Sequence, residues 1–214
     1  MTPEELFDSI GPAYETAFAD LQPQLESIQW IMRQIQDQKP AKVLDLGCGT
    51  GRPVCSAFAD AGHDVLGVDV SGVMLSDAQA KVSNAKFMKA DIFQVELPRQ
   101  SFDAITIFFS LAAGSSQDLI RRQIRRMYDW LKSEGVLVLA TVPLARDQVR
   151  SSFMGRPFVG SGLSQDEYLT CIKQVGLEIV HHSLSSFTPK TVEAGICKAE
   201  ENVEEPHLFV WAKK

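Results

Sequence analysis

The chain has 214 residues, of which 45% are hydrophobic and 22% are charged. This length accommodates one domain, residues 1–214, with a sizeable core, and the composition excludes a largely disordered chain. A net charge of −6 and a pI of about 5.2 argue against a nucleic-acid partner, because such a protein must offset phosphate charge. One basic run, residues 121–126, is predicted to be the solvated face of an amphipathic helix.

The chain holds four cysteines: Cys48, Cys55, Cys171 and Cys197. None has the CxxC spacing typical of zinc or redox sites, so we expect no metal. The first residues are acidic rather than apolar, unlike a signal peptide, and no apolar run approaches the ~20 residues that span a bilayer. These features predict a cytoplasmic protein with reduced thiols and no membrane partner. We expect it to act as a monomer or a homodimer.

Residues 1–40 are predicted to form a helical lid. Apolar residues recur at spacings of three and four, first from Leu6 to Ala17 and then from Leu21 to Ile35. The dipeptides Gly11-Pro12 and Gln22-Pro23 interrupt this pattern, which predicts several short helices rather than one long helix.

From residue 41 to residue 141, short β-rich runs alternate with helical patterns. This order predicts an α/β fold of the Rossmann-like, doubly wound type, in which a mostly parallel sheet carries helices on both faces. Apolar runs without alternation, such as 104–109, are typical of strands that are covered on both faces. The predicted strands are Lys42–Leu46, Val65–Val70, Lys86–Ala90, Phe102–Phe109 and Val136–Thr141. The predicted helices are Pro53–Ala61, Val73–Val82, Gln117–Leu131 and Gln165–Val175.

The last third of the chain has a different pattern. Leu177–Ser183 and His207–Trp211 are predicted strands without a helical crossover, and strands joined in this way pair more easily antiparallel. Residues 165–214 are therefore expected to complete a seven-stranded sheet with an antiparallel edge strand. Residues 142–164 contain Pro, Gly and Ser without a clear period, which predicts an irregular insertion that lines the substrate side.

A Gly-rich turn follows the first predicted strand. Gly47, Gly49 and Gly51 have the spacing GxGxG, and such glycines allow a sharp turn and the close approach of a ligand. A dinucleotide-binding turn would carry Gly or Ala where this chain has Arg52, and a P-loop would end in Gly-Lys-Ser/Thr. The turn alone is equally compatible with a ligand site and with a tight strand-to-helix connection.

Two carboxylates favour the ligand site. Asp69 ends the second predicted strand, where a carboxylate can accept hydrogen bonds from both ribose hydroxyls of a nucleoside. Asp91 follows the third predicted strand and can accept a hydrogen bond from an adenine amino group. The Gly-rich turn and both acids stand at the carboxyl ends of strands, where open α/β sheets bind ligands, and together they predict a nucleoside site.

These segments resemble the class I S-adenosylmethionine (SAM)-dependent methyltransferases of the small-molecule type. The run Val43–Gly51 resembles motif I of that family, Val68–Ser71 with Met74-Leu75 resembles its ribose-binding segment, and Ala90–Ile92 resembles its adenine-binding segment. Residues 101–105, 131–138 and 205–211 resemble its fourth, fifth and last strands, so the resemblance extends over residues 5–213. It is specific for the cofactor SAM and does not identify the acceptor.

The resemblance implies a set of cofactor-binding residues. The Gly-rich turn and Asp45 before it would border the methionine and ribose, and the segments at Asp69 and Asp91 would hold the ribose and the adenine. The backbone near Phe108 and Phe109 would face the methionine end. An N-terminal tyrosine resembles one that closes over the cofactor in many relatives, although a core position explains it equally well. The implied residues are Tyr14, Asp45, Gly47, Gly49, Gly51, Asp69, Val70, Asp91, Ile92 and Phe108.

The acceptor side departs from the family pattern. Many relatives carry histidines or other polar groups where residues 110–115 of this chain are Ser-Leu-Ala-Ala-Gly-Ser. The Asn/Asp-Pro-Pro-aromatic motif of adenine or glutamine methylation is also absent, which disfavours those substrates. Phe153, Met154 and Phe158 of the insertion predict a pocket for a small, fairly hydrophobic acceptor, unless they are ordinary core residues.

No general base is assigned by the sequence. His182 and Tyr14 are the candidates for a catalytic role. His181 and His182 are adjacent on a predicted strand and point to opposite faces, so one of them could line a cavity, although surface positions fit better. His63 lies at the strand end away from the ligand, and His207 begins the last predicted strand.

Three functions remain to be compared. The first is methyl transfer from SAM to a small molecule by in-line displacement. The second is a SAM-binding protein that does not methylate, either a binding module or a catalyst of cyclisation or rearrangement, which the apolar segment after Ser110 suggests. The third, an NAD-dependent oxidoreductase, is disfavoured by Arg52-Pro53 after the GxGxG turn.

Overall fold

A computed structural model describes residues 1–214 and contains nine strands, seven α-helices and a short 3-10 helix at Ala199–Glu201. The strands are β1 (Lys42–Leu46), β2 (Asp64–Asp69), β3 (Lys86–Lys89), β4 (Phe102–Phe108), β5 (Leu131–Thr141), β6 (Arg146–Phe153), β7 (Arg156–Gly162), β8 (Glu178–Phe187) and β9 (Glu205–Lys213). The helices are α1 (Pro3–Ile10), α2 (Ala13–Ala17), α3 (Gln22–Gln34), α4 (Val54–Asp60), α5 (Gly72–Lys81), α6 (Gln117–Trp130) and α7 (Gln165–Gln174).

Seven strands form one sheet in the order β3-β2-β1-β4-β5-β9-β8. The pairs among the first five strands are parallel, whereas β9 pairs antiparallel with both β5 and β8. This topology confirms the predicted doubly wound fold and its antiparallel edge. The strand that runs against the others is β9, and β8 lies outside it.

Two large apolar clusters cover the two faces of the sheet. On one face, Leu44, Leu46 and Ile105 pack with residues of α6 and α7. On the other face, Val43 and Ala104 pack with residues of α3 and α4. Side chains of a strand alternate between faces, so each central strand contributes to both clusters and is buried along almost its whole length.

The predicted helix boundaries agree with the structure to within one residue for α4 to α7. Local chemistry explains several of these ends. The hydroxyls of Ser71 and Ser116 accept hydrogen bonds from backbone amides in the first turns of α5 and α6, and Ser164 forms a capping box with Glu167 at the start of α7. Strand β5 begins five residues earlier than predicted, because Leu131 pairs with Phe102 across a shift in register.

The prediction of an irregular insertion at residues 142–164 is wrong. This segment contains the antiparallel hairpin β6–β7, whose two-residue turn, Met154-Gly155, has positive φ angles of 50° and 76°. Two consecutive residues with positive φ suit the right-handed twist of a hairpin. Strand β6 is exposed along almost its whole length, and the buried end of β7 is Gly-Ser-Gly. Neither strand has the apolar alternation by which strands are recognised in a sequence, so periodicity could not identify them.

Helix α3 packs on one face of the sheet, whereas helices α1 and α2 lie over the carboxyl ends of the parallel strands. They are held there by a third apolar cluster, which joins Leu6, Ile10 and Phe18 to Met154 and Ile196. On the opposite side, polar contacts join α1 to the start of α5: Asp8 accepts hydrogen bonds from the Ser71 hydroxyl at 2.5 Å and the Val73 amide at 3.2 Å.

None of the helices combines the length and the apolar character needed to cross a bilayer.

Candidate functional site

Two clefts open at the carboxyl ends of the parallel strands, beneath α1 and α2. Their volumes are about 290 Å³ and 320 Å³. The first, called here the β2–β3 cleft, is lined by Asp69, Val70, Asp91 and Ile92. The second, called the β1–α4 cleft, is lined by residues that include Asp45 and Arg52. The two clefts share a junction formed by Tyr14, Gly47, Gly49, Phe108 and Phe109.

The Gly-rich turn carries the floor of this junction. Gly47 and Gly49 have φ angles of 72° and 53°, in the region that favours glycine. A Cβ on Gly47 would lie 1.8 Å from the Ser110 hydroxyl, and a Cβ on Gly49 would meet nothing within 4 Å. The turn at Gly47 is therefore closed against β4, whereas Gly49 presents bare backbone to the open cleft.

Asp69 connects the end of β2 to the Gly-rich turn. One oxygen of its buried carboxylate accepts a hydrogen bond from the Gly49 amide at 2.8 Å, and the other accepts one from the Ser71 amide at 2.8 Å. Burial raises the pKa of Asp69, and the backbone hydrogen bonds act against this rise. Each carboxylate oxygen has a further lone pair, so Asp69 can still accept hydrogen bonds from the hydroxyl groups of a ligand in the β2–β3 cleft.

Asp91 organises the turn that follows β3. Its carboxylate accepts the Phe93 amide at 2.8 Å and the Gln94 side-chain amide at 2.9 Å. The next residue, Ile92, is buried and contributes to both the core and the cleft wall. The turn thus places a carboxylate beside an apolar surface, an arrangement that suits a flat heterocycle with an exocyclic donor.

Asp45 lies on β1, where it reaches the β1–α4 cleft. It accepts hydrogen bonds from the Thr106 hydroxyl at 2.7 Å and from the Cys55 thiol at 3.4 Å. Burial raises the pKa of Asp45 to about 6, although both hydrogen bonds oppose the rise. Asp45 therefore carries a negative charge at neutral pH at a cost to the folded state.

Tyr14 closes the junction from above. Its ring stacks on Phe18 at 4.4 Å and meets Phe7 edge-on at 6.2 Å. Burial and the nearby negative charges of Glu205 and Asp69 raise the pKa of the Tyr14 hydroxyl. The hydroxyl is therefore protonated at physiological pH, where it can donate a hydrogen bond but cannot act as a base.

Of the ten predicted cofactor residues, nine line one or both clefts, and Gly51 does not. Gly51 is buried behind the turn, where a Cβ would lie 3.1 Å from the ring of Phe87 and 3.4 Å from Ala78. Close packing of the turn against β3 and α5 explains this glycine. The prediction that Gly51 borders the cofactor is therefore corrected.

None of the four histidines lines either cleft, although His207 packs against the cleft residue Phe109 at 4.3 Å. His182, the predicted catalytic candidate, is exposed on the outer strand β8, and His181 stacks on Trp211 at 5.0 Å. His63 accepts the Ala41 amide at 3.1 Å at the opposite end of β1. His207 is fully buried within β9, with Nε2 3.2 Å from Glu205. Assigning His182 to the site is therefore wrong, because its strand is two places beyond β5.

The insertion residues that were predicted to line a substrate pocket belong to the third apolar cluster. Met154 is buried there, with Phe153 and Phe158 packed against it. Neither cleft is lined by any of the three; Phe158 borders a separate cavity of about 50 Å³. The alternative, core packing beneath the insertion, is the correct interpretation.

The resemblance placed the backbone near Phe109 at the methionine end of the cofactor, but it did not identify Phe7 or the side chain of Phe109 as part of the site. Phe7 of α1 lines the β2–β3 cleft, although the helical period of α1 selected Leu6 and Ile10 as its buried face. Phe109 lines both clefts with a φ of 56°, a conformation that non-glycine residues rarely adopt. The signal for Phe109 was its place just after a buried strand, where site residues of α/β folds concentrate.

The sequence of the chain is similar to that of a known domain family. Residues 43–135 match the family model described as a methyltransferase domain. The demethylmenaquinone methyltransferase of Thermotoga maritima is 31% identical over 138 residues, which are 63% of this chain and 58% of that protein. The chain spans about half the length of the curated relatives it matches.

Solved structures share the fold. A SAM-dependent methyltransferase from Mesorhizobium loti superimposes with a TM-score of 0.63 at 20% identity, covering 88% of this chain and 96% of the other. The cyclase SpnF superimposes with a TM-score of 0.71 at 18% identity, covering 100% and 96%. Residues 43–135 are similar to a methyltransferase domain, and the chain has the fold of the class I SAM-dependent methyltransferases. The cofactor of this class is SAM.

Proposed function

We propose that this protein transfers the methyl group of SAM to a small, fairly hydrophobic organic acceptor. The observation that carries the proposal is the junction of two clefts at Gly47, Gly49 and Tyr14. A nucleoside in the β2–β3 cleft would have its ribose at Asp69 and its adenine at Asp91 and Ile92. Its amino-acid arm would then cross the junction towards Asp45.

The residues present suit this cofactor. Gly49 offers backbone with free space in front of it, and Asp69 retains lone pairs for two hydroxyls. When bound, SAM supplies a methyl group already activated by its positive sulfur. The chain then has to hold an acceptor in line with that group and to exclude water, and such orientation alone contributes effective molarities on the order of 10⁵ M or more.

The acceptor wall supports a hydrophobic substrate. Phe7, Tyr14, Phe109 and Ala113 line the β2–β3 cleft, and Tyr14 and Phe109 also belong to the junction. The relatives' names also give apolar acceptors, since they include a demethylmenaquinone methyltransferase and a sterol 24-C-methyltransferase. With no histidine in either cleft, acceptors that react without a general base, such as thiols, amines and activated carbons, are the better candidates.

The second candidate is a SAM-binding protein that catalyses cyclisation or rearrangement, or only binds. Its support is the residue set at the junction, where Tyr14 stays protonated and Ser110 bonds to the carbonyl of Phe108 at 3.0 Å. Such a site can donate a hydrogen bond and enclose an apolar substrate without removing a proton.

Titration calorimetry with S-adenosylhomocysteine (SAH), followed by turnover assays, tests the proposal. We expect binding of SAH with no binding of NADH. Formation of SAH from SAM with an acceptor in a panel of hydroquinones, phenols, thiols and amines supports methyl transfer. Tight binding of SAH with no turnover of any panel member favours the second candidate, and absence of SAH binding contradicts both.

A further inference from the structure

The basic run at residues 121–126 is not uniform once it is folded. It lies on α6, whose apolar face packs into the core through Ile120, Ile124 and Met127. Arg122 is exposed and Arg125 pairs with Asp129 at 3.6 Å, as predicted for a solvated face. Arg126 differs, because its side chain is half-buried and directed towards the turn that follows β3.

The guanidinium of Arg126 holds the turn 91–95 by its backbone. It donates to the carbonyl oxygens of Ile92 at 3.3 Å and Phe93 at 2.7 Å, and also to that of Val95. Within the turn, the amides of residues 94 and 95 donate to the carbonyl oxygen of Asp91. No backbone amide donates to the three carbonyl oxygens that accept hydrogen bonds from Arg126. One side chain thus satisfies three carbonyl oxygens of the turn.

Neighbouring groups fix the orientation of this guanidinium. Gln123, one turn earlier on α6 and fully buried, accepts from Arg126 at 3.0 Å. The ring of Trp130 lies 4.8 Å below the guanidinium carbon, within range of a cation–π contact. The guanidinium donates from two nitrogens held in a rigid planar fork, whereas the ammonium of a lysine is a single compact charge on a flexible stem and cannot reproduce that spacing of donors.

We infer that Arg126 is the positioning residue of the adenine end of the site, a role that rests on the proposed function. The turn it holds presents Asp91, Ile92 and Phe93 to the β2–β3 cleft. Arg126 touches no ligand itself. It acts from behind the turn, by keeping the carboxylate and the apolar surface at a fixed separation. Carbonyls that lose a charged donor in a half-buried position cost free energy, so the turn shifts or loosens when Arg126 is replaced.

The test compares Arg126→Lys with Arg122→Lys, a matched change on the exposed face of the same helix. Calorimetry uses SAH and S-inosylhomocysteine, in which an oxygen replaces the adenine amino group. For Arg126→Lys we expect the Kd of SAH to rise about tenfold, with a clearly smaller rise for the inosine analogue, as one lost charged hydrogen bond would produce. Arg122→Lys should bind both ligands as the wild type does.

Amide hydrogen exchange supplies a second readout. In Arg126→Lys the amides of residues 93–95 should exchange faster than in the wild type, while those of β1 and β4 keep their rates. If this variant does not fold, Arg126→Gln, which keeps a planar donor, replaces it with the same expectations. Unchanged SAH affinity, or an equal loss for both ligands, would overturn the inference. Absence of SAH binding by the wild type contradicts the proposed function instead, and the inference falls with it.

Discussion

The carboxylate of Asp69 and the backbone amide of Gly49 lie 2.8 Å apart, which joins the end of β2 to the turn after β1. The two residues are twenty positions apart in the chain. Both residues line the β2–β3 cleft, so their contact holds the Gly-rich turn beside the carboxylate proposed for the ribose. A change at Asp69 is therefore the most direct test of the nucleoside site.

Replacement of Asp69 by Ala or Asn should weaken the binding of SAH. Loss of charged acceptors for two hydroxyls predicts a Kd about 100-fold higher, equivalent to about 2.7 kcal/mol. Asn keeps one acceptor and the shape of the side chain, so its effect should be the smaller. Calorimetry measures both, with Asp37→Ala, an exposed acid outside the clefts, as the control. Equal affinities in all variants would remove Asp69 from the site.

Asp45 predicts a distinct dependence of stability on pH. Its pKa is about 6 in the folded state and close to 3.8 when exposed, so the folded state binds the proton more tightly. The free energy of unfolding should therefore fall as the pH rises from about 4 to about 6, by at most about 3 kcal/mol.

Asp45→Asn removes this titration and should flatten the same part of the stability curve. Urea denaturation at pH 4.5 and pH 7 measures the difference between the variant and the wild type, which cancels the contribution of other groups. We expect the variant to gain stability relative to the wild type at pH 7 and to lose that advantage at pH 4.5. A constant difference across this range would contradict a raised pKa.

Gly47→Ala should destabilise the chain by about 2 to 4 kcal/mol, because it adds an unfavourable positive φ to a collision with Ser110. The double variant with Ser110→Gly removes the colliding atoms and should recover the collision part of the loss. Chemical denaturation of the two single variants and the double variant gives the coupling energy. Additive losses would mean that the turn does not pack on Ser110.

The histidines offer a contrast between a surface position and a core position. His182→Ala should leave both the melting temperature and the SAH affinity unchanged, since the side chain is exposed and distant from the clefts. His207→Ala should lower stability by about 2 to 4 kcal/mol, because it opens a cavity between Phe109 and Phe187 and leaves Glu205 without its partner. Loss of SAH binding in the His182 variant would restore that residue to the site.

Much of this fold and site could be predicted because the signals are local. The strand-to-helix alternation, the GxGxG spacing and the acids after β2 and β3 lie within short stretches of chain, and parallel strands must bring their carboxyl ends to one edge. Nine of ten predicted cofactor residues line the clefts for this reason. Gly51 was misassigned because a glycine required for packing and one required for a ligand look alike in a sequence.

Tertiary structure decided what depends on residues far apart in the chain. Arg126 meets Ile92 across 34 positions, so only the packing of α6 against the turn distinguishes it from the exposed arginines beside it. Asp8 reaches Ser71 across 63 positions to hold the lid, and the pairing of β6 with β7 was hidden by their exposed faces. The sequence by itself determined which strand ends form the proposed cofactor edge, through local backbone chemistry. Long-range contacts determined which side chains line the clefts, because the contacts of a side chain depend on how whole helices and strands pack together.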